Sequence, residues 1–292
     1  MLANAGIAAA KVVGFAFTGA TSMLAEAVHS VADTGNQLLL LWGSSAARRS
    51  PTPNHAFGYG RERYFWSFVV ALVIFSLGGM FAMYEGIVKF FHPHALTQVW
   101  WGIGILGVSV VLEAFSFRTA IAEARQQKGQ VSWWSFVRDT KNPELPVVLM
   151  EDLGALVGLV LALLGVGLTA ITGDARCDAL GSVAIGLLLI TIGVSLSVKM
   201  KALLIGESAT MENEDAIRTA IEGSPEVRRL IHMRTQHIGP EEILLGTKLE
   251  FDRGYSMQEL ADAIDAVEAR IRARVPATTV IFIEPDFFRT AT

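Results

Sequence analysis

The sequence is poor in charge and almost without cysteine. Of its 292 residues only 18% are Asp, Glu, Lys or Arg, against roughly 25% in a soluble domain. The one cysteine, Cys177, excludes an internal disulfide framework and any thiolate cluster within one chain. There is no block of basic residues, and the net charge of −4 leaves no footprint for nucleic acid. The pattern H-E-x-x-H is missing, and no other substrate-holding motif takes its place, which argues against a membrane-embedded metallohydrolase.

What the chain has instead is apolar length. It is 52% hydrophobic, with a mean hydropathy of +0.43. A membrane helix needs about 20 mostly apolar residues. Six runs qualify: 2–20, 22–43, 64–91, 98–122, 147–171 and 178–200. The first run has no small-residue cleavage site, and the second follows within a few residues, so it reads as a membrane helix rather than a signal peptide. The chain opens almost inside that helix, and a short leader would fit ahead of it.

The loops set the orientation, because cytoplasmic loops carry an excess of Lys and Arg. Arg48, Arg49, Arg61 and Arg63 lie between spans 2 and 3. Arg125, Lys128, Arg138 and Lys141 lie between spans 4 and 5, and Lys199 and Lys201 close span 6. The opposite connections hold only Lys89 and Arg176 nearby. Both termini are therefore expected in the cytoplasm. Trp133 and Trp134 in the 4–5 loop suit either the headgroup layer or a short helix packed on another domain.

After about residue 206 the pattern becomes charged and alternating. MENEDAIRTAIEG reads as a helix ending at Gly223. VRRLIHMRTQHIG and EILLGTKLEFD alternate like strands. SMQELADAIDAVEARIRARV has helical spacing and a Ser256/Glu259 capping box, and TTVIFIEPD is a last strand ended by Pro285. The expected fold is a polytopic α-helical membrane protein with six transmembrane helices in 1–206. A small cytoplasmic αββαβ domain follows in 207–292, its sheet backed by two helices.

An ionisable group at mid-membrane costs a few kcal/mol at the least, and it marks a partner, a wet path or a ligand. Span 2 carries Glu26, His29, Asp33 and Asn36 in AEAVHSVADTGN. At about 100° per residue, His29 and Asp33 differ by about 40°, and Glu26 lies within about 60° of both. His29 and Asp33 are one turn apart, about 6 Å along the axis, so both can reach one cation. Imidazole with carboxylate suits zinc, and also manganese, iron or cobalt. The alternative is a His–Asp pair that bonds two helices together. In span 5, Glu151 and Asp152 sit one turn into PVVLMEDLGALVGL, and neighbours so placed cannot both aim squarely at one point. Glu113 in span 4 reads as a buried partner for Lys11 of span 1, or as part of a proton path. His29 can exchange a proton for a metal ion, which would give antiport without enzyme chemistry.

These residues resemble a known family. The six spans, H-S-x-x-D in span 2, NHAFGYGRERY entering span 3, the acidic pair of span 5 and the αββαβ domain look like a cation diffusion facilitator. MLAEAVHSVADTGNQ, VVLMEDLGALVGL and LTAITGDARCDALGS look most like the branch that contains the ninth mammalian zinc transporter. The resemblance covers nearly the whole chain. It implies a homodimer in the lipid bilayer, most simply the cell (inner) membrane. This dimer would export divalent cations, zinc first, in exchange for protons, by alternating access and with no tightly bound cofactor.

Carried over, the transport ligands are His29, Asp33 and Asp152. The family's other span-5 ligand position is Val148 here, which leaves Glu151, Asn36, Glu26 or water to complete the shell. That departure keeps open a second reading, a membrane-anchored metal-responsive adaptor that does not transport. The resemblance also implies a metallochaperone-like C-terminal domain, in which His232 falls at a common ligand position. The later histidine position is Lys248, and the last strand brings none, so the domain is expected to dimerise with little or no metal. His237, Glu250, Glu284 and Asp286 are further surface candidates there. His55 in the 2–3 loop reads as solvated.

Overall fold

The computed structural model describes residues 2–94, 96 and 98–289. Two compact units divide it: residues 1–46 with 62–201, and residues 47–61 with 202–292.

The first unit is helical: α1 (Leu2–Thr18), α2 (Thr21–Ala47), α3 (Glu62–Val73), a π-helical segment (Ile74–Met80), α4 (Phe81–Phe91), α5 (Val99–Lys128), α6 (Trp133–Asp139), α7 (Glu144–Thr172) and α8 (Arg176–Ile205). Among the described residues four helices are long and apolar enough to cross a membrane, namely Glu62–Phe91, Val99–Lys128, Glu144–Thr172 and Arg176–Ile205; α1 contributes a shorter apolar stretch, Ala9–Thr18. The sequence pattern had suggested six. α2 has the length, with 27 residues, but its polar face dilutes its apolarity.

Polar and apolar residues are turned inside out relative to a soluble protein. Lys11, Glu26, His29, Asn36 and Asp178 are buried, whereas Trp100 and Ile171 are 79% and 84% exposed. A hydrocarbon solvent explains both facts. It welcomes the aromatic and aliphatic exterior, and it leaves each polar group to find its partners inside.

Helices pack on α8 through glycine. A Cβ at Gly186 of α8 would stand 2.7 Å from the Met83 nitrogen and 2.9 Å from the Gly79 oxygen, and one at Gly86 would stand 2.8 Å from the Ala179 oxygen. Without Cβ atoms the backbones approach closely, the usual source of van der Waals adhesion between membrane helices. The π-helical segment lies in this seam. Short π-helical insertions are frequent at functional sites, and here the segment brings Gly78 against His29, where an added Cβ would lie 3.6 Å from Nδ1.

The short helix α6 accommodates the two tryptophans. Ser132 caps it, accepting from the Ser135 N–H at 3.1 Å. Phe136 packs with Ala124 of α5 and Leu149 of α7, while Trp134 stays exposed.

The second unit contains α9 (Met211–Glu222), β1 (Val227–Gly239), β2 (Glu242–Phe251), α10 (Met257–Arg274) and β3 (Thr278–Pro285). The sheet order is β1-β2-β3, with β1 antiparallel and β3 parallel to β2. The parallel pair requires a crossover, and α10 supplies it. Alternation along β2 buries Ile243, Leu245, Thr247, Leu249 and Phe251. The apolar members of this row pack on Ile217 and Ile221 of α9 and on Val267 and Ile271 of α10. The capping box is present: Ser256 accepts from the Glu259 N–H, and Glu259 accepts from the Ser256 N–H at 2.7 Å.

Candidate metal centre

The polar face of α2 follows from its spacing. Glu26, His29, Asp33, Asn36 and Leu40 recur at intervals of three and four, and all are buried. Val31, Leu38, Leu41 and Trp42 on other faces are exposed. His29 Nδ1 stands 3.5 Å from Asp33 Oδ1. Asn36 donates to Glu151 of α7 at 2.9 Å, and the carboxyls of Asp33 and Glu151 lie side by side. His29, Asp33, Asn36 and Glu151 therefore form one buried cluster between α2 and α7.

Asp152 is turned away from it. Its carboxylate accepts from Ser116 of α5 at 3.4 Å, as a neighbour about 100° further round the helix must. Val148, at the position where the resemblance expects a ligand, packs with the apolar core. Among the described residues no three His, Cys, Asp or Glu side chains converge closely enough to hold a metal ion. In this conformation the donors face one another in pairs.

Lys11 does not take the partner expected from the sequence. Its ammonium donates to Glu26 Oε2 at 3.1 Å and to Ser30 Oγ at 2.7 Å, with both charged groups fully buried. Glu113 stays buried on α5. Glu26 is favoured because Ser30, one turn further along α2, offers a second acceptor to the same ammonium. The other Glu26 oxygen, Oε1, abuts Gly158 of α7, where any Cβ would collide with it.

A second buried network fixes the start of α2, and the sequence reading passed over it. Asp178, in the first turn of α8, accepts from Thr21 N at 2.8 Å, Thr21 Oγ1 at 3.0 Å, Ser22 N at 3.4 Å and the Ser22 hydroxyl. Lys89 of α4 donates to it at 3.1 Å, and to the Gly19 carbonyl at 2.8 Å. Asp178 thus caps α2 from another helix, an anion at a helix N-terminus. The signal was there in the isolated Lys89 and in the acidic residue just inside span 6.

In the second unit His232 is exposed and accepts from Arg234 Nε at 2.9 Å. Its register partner Lys248 donates to Glu284 at 2.8 Å and Asp286 at 3.4 Å. The Glu284 carboxylate raises the Lys248 pKa above the ordinary lysine range. The backbone N–H of Phe287, together with Lys248, holds Asp286 low. An ammonium thus sits between two of the candidate surface ligands. Glu250 is half-buried opposite Arg229. His237 is buried, with Nδ1 3.1 Å from the Gly239 carbonyl. His55 is exposed and rests on the Tyr59 ring at 4.5 Å.

A helical unit that keeps its charges inside, joined to a small α/β unit, is the arrangement of a cation efflux protein. The chain belongs to that family: the cation efflux transmembrane domain matches residues 1–205, and the cation efflux protein cytoplasmic domain matches residues 209–286. Its family and its long apolar helices make it a multi-pass membrane protein. It is 34% identical to the proton-coupled zinc antiporter SLC30A9, mitochondrial, of Xenopus laevis, over 83% of this chain and 44% of that protein. It is 28% identical to metal tolerance protein C4 of Arabidopsis thaliana, over 79% of this chain and 51% of that one. The zinc transporter ZitB of Escherichia coli (strain K12) is 25% identical over 82% and 72%. This chain spans about half the length of the first two. A solved MamM-CTD variant aligns with 27% of this chain and 93% of its own, at 20% identity and a TM-score of 0.25.

Proposed function

We propose that this protein exports divalent metal ions, zinc first, in exchange for protons, through a site between α2 and α7. One observation carries the reading. Both ring nitrogens of His29, Oδ1 of Asp33 and Oδ1 of Asn36 are buried without a hydrogen-bond partner among the described residues. Buried polar atoms are nearly always paired, and each orphan costs about 1–3 kcal/mol. Several together on one helix face are expected of groups whose partner is cargo.

His29 and Asp33 are the α2 ligands. Glu151 is the α7 carboxylate already beside them. Asp152 keeps the place that the resemblance gives it, and ion binding then has to draw it from Ser116. Asn36 orients Glu151 through its amide and leaves its carbonyl oxygen to the ion or to a bound water. One imidazole among oxygens suits zinc, and admits manganese, iron and cobalt. Metal needs neutral imidazole and ionised carboxylates, so protons and cargo compete for the same atoms. Rocking of the helices exposes the site to each side in turn, with Glu113 beside the proton route.

The same reading makes α1 and α2 spans, six in all, with both termini in the cytoplasm and the chain in the cell (inner) membrane. At about 1.5 Å per residue α2 is ample for a hydrocarbon core of about 30 Å. Residues 1–206 carry transport. Residues 207–292 dimerise the protein, and Lys248 serves there where a metal ion would otherwise bridge carboxylates.

The test is zinc flux into proteoliposomes under an imposed pH gradient, with wild type beside Asp33→Ala. Gradient-driven flux that Asp33→Ala abolishes is the expected result. A wild type that moves no divalent ion overturns the reading, and leaves the metal-responsive adaptor in its place.

A further inference from the structure

We propose that Lys11 is a specificity-determining residue, which keeps Glu26 out of the ligand shell by holding its carboxylate against α1 and α7. The inference rests on the cargo site described above, and it concerns what that site excludes.

Glu26 lies one turn before His29 on the same buried face. By position alone it is a natural oxygen ligand for an ion at His29 and Asp33. The structure removes it from contention on both oxygens. Oε2 is bonded to Lys11, and Oε1 is seated at Gly158. Lys11 is in turn fixed by Ser30, the residue that follows His29. All three side chains are buried, so water does not compete for the ammonium. The other carboxylate that Lys11 could serve, Glu113, stays on α5 without a hydrogen bond to it among those described.

The consequence is a limit on oxygen donors. A shell of one imidazole and a few carboxylates suits zinc, and each further carboxylate shifts the balance towards harder ions such as manganese. Lys11 withholds one such carboxylate at the cost of keeping an ammonium near a cation site. Gly158 is the second half of the device, because any side chain there would push Glu26 off its seat.

The experiment measures zinc and manganese uptake by the full chain in proteoliposomes under one pH gradient, and reads the ratio of the two rates. The ratio does not depend on how much protein is folded. Lys11→Met is expected to lower the zinc-to-manganese ratio by about tenfold, the low end for residues that support a metal site. Lys11→Arg is expected to keep the wild-type ratio, and Lys11→Met with Glu26→Gln to restore it. Should Lys11→Met fail to accumulate, Gly158→Ala tests the same displacement with the ion pair intact, and the ratio is expected to fall there too. A wild-type ratio in Lys11→Met, or in Gly158→Ala, overturns the inference while the cargo site stands. A double variant that stays as low as Lys11→Met also overturns it, since the effect then does not run through Glu26. Absence of flux in the wild type removes both proposals.

Discussion

Replacing Asp178 by Asn should unfasten the start of α2 without changing the shape of the side chain. The carboxylate receives two backbone N–H groups, two hydroxyls and the Lys89 ammonium, and it is fully buried. An amide offers one acceptor oxygen, and turns an NH2 towards donors that need acceptors. It also strands Lys89, which is only 5% exposed. Removing one member of a buried, hydrogen-bonded ion pair costs about 3–5 kcal/mol, and the loss of a cap belongs to the same sum. The assay is denaturant unfolding of the purified full chain in detergent, with Lys89→Met and the double variant completing a cycle. The double variant is expected to be more stable than the two single losses added together, because it leaves no lone charge. A loss in Asp178→Asn below about 1 kcal/mol, the level of an exposed ion pair, would refute the argument. So would strict additivity of the two single variants.

Three further outcomes follow from the packing. Gly186→Val should destabilise by about 1–3 kcal/mol, the usual cost of overpacking. Its side chain meets the Met83 and Gly79 backbones, whereas Gly104→Val, which meets nothing within 4 Å, should leave the unfolding midpoint in place. In the second unit Arg270 grips Glu226 through two bonds of 2.5 and 2.9 Å, and holds its pKa below the ordinary carboxylate value. That contribution is complete above an unfolded pKa of about 4.3 and is lost as pH falls through the lower folded value. A full-length Glu226→Gln variant should therefore show a flatter loss of stability below that pH, and parallel curves would refute the assignment. Ser256→Ala should cost about 1 kcal/mol through the α10 cap, read as an earlier unfolding of the second unit.

The parts of this protein that periodicity governs were legible in its sequence. His29, Asp33, Glu26 and Asn36 fall on one helix face by spacing alone. The alternation of Ile243, Leu245, Leu249 and Phe251 announces a half-buried strand. Ser256 and Glu259 announce the start of a helix.

The parts that depend on how helices turn towards one another were not. Glu151 and Asp152 are adjacent, and only the rotation of α7 decides which of them meets α2. The sequence points Lys11 to Glu113, whereas Glu26 and Ser30 of α2 together receive its ammonium. Asp178 drew no reading from the sequence, because nothing local shows that the Thr21 and Ser22 amides lie opposite it. The π-helical segment IFSLGGM is as apolar as its flanks, so widening the helix there leaves no mark in composition.

Everything proposed for transport depends on a cation binding at His29 and Asp33, in a shell otherwise made of oxygen. X-ray absorption at the zinc edge tests it most directly, on purified protein loaded with one equivalent of zinc, wild type beside His29→Ala. The expected spectrum shows a single imidazole with oxygen ligands at about 2.0–2.2 Å, and loses the imidazole signal in the variant. An imidazole signal unchanged by His29→Ala would contradict it, as would a sulfur ligand from Cys177.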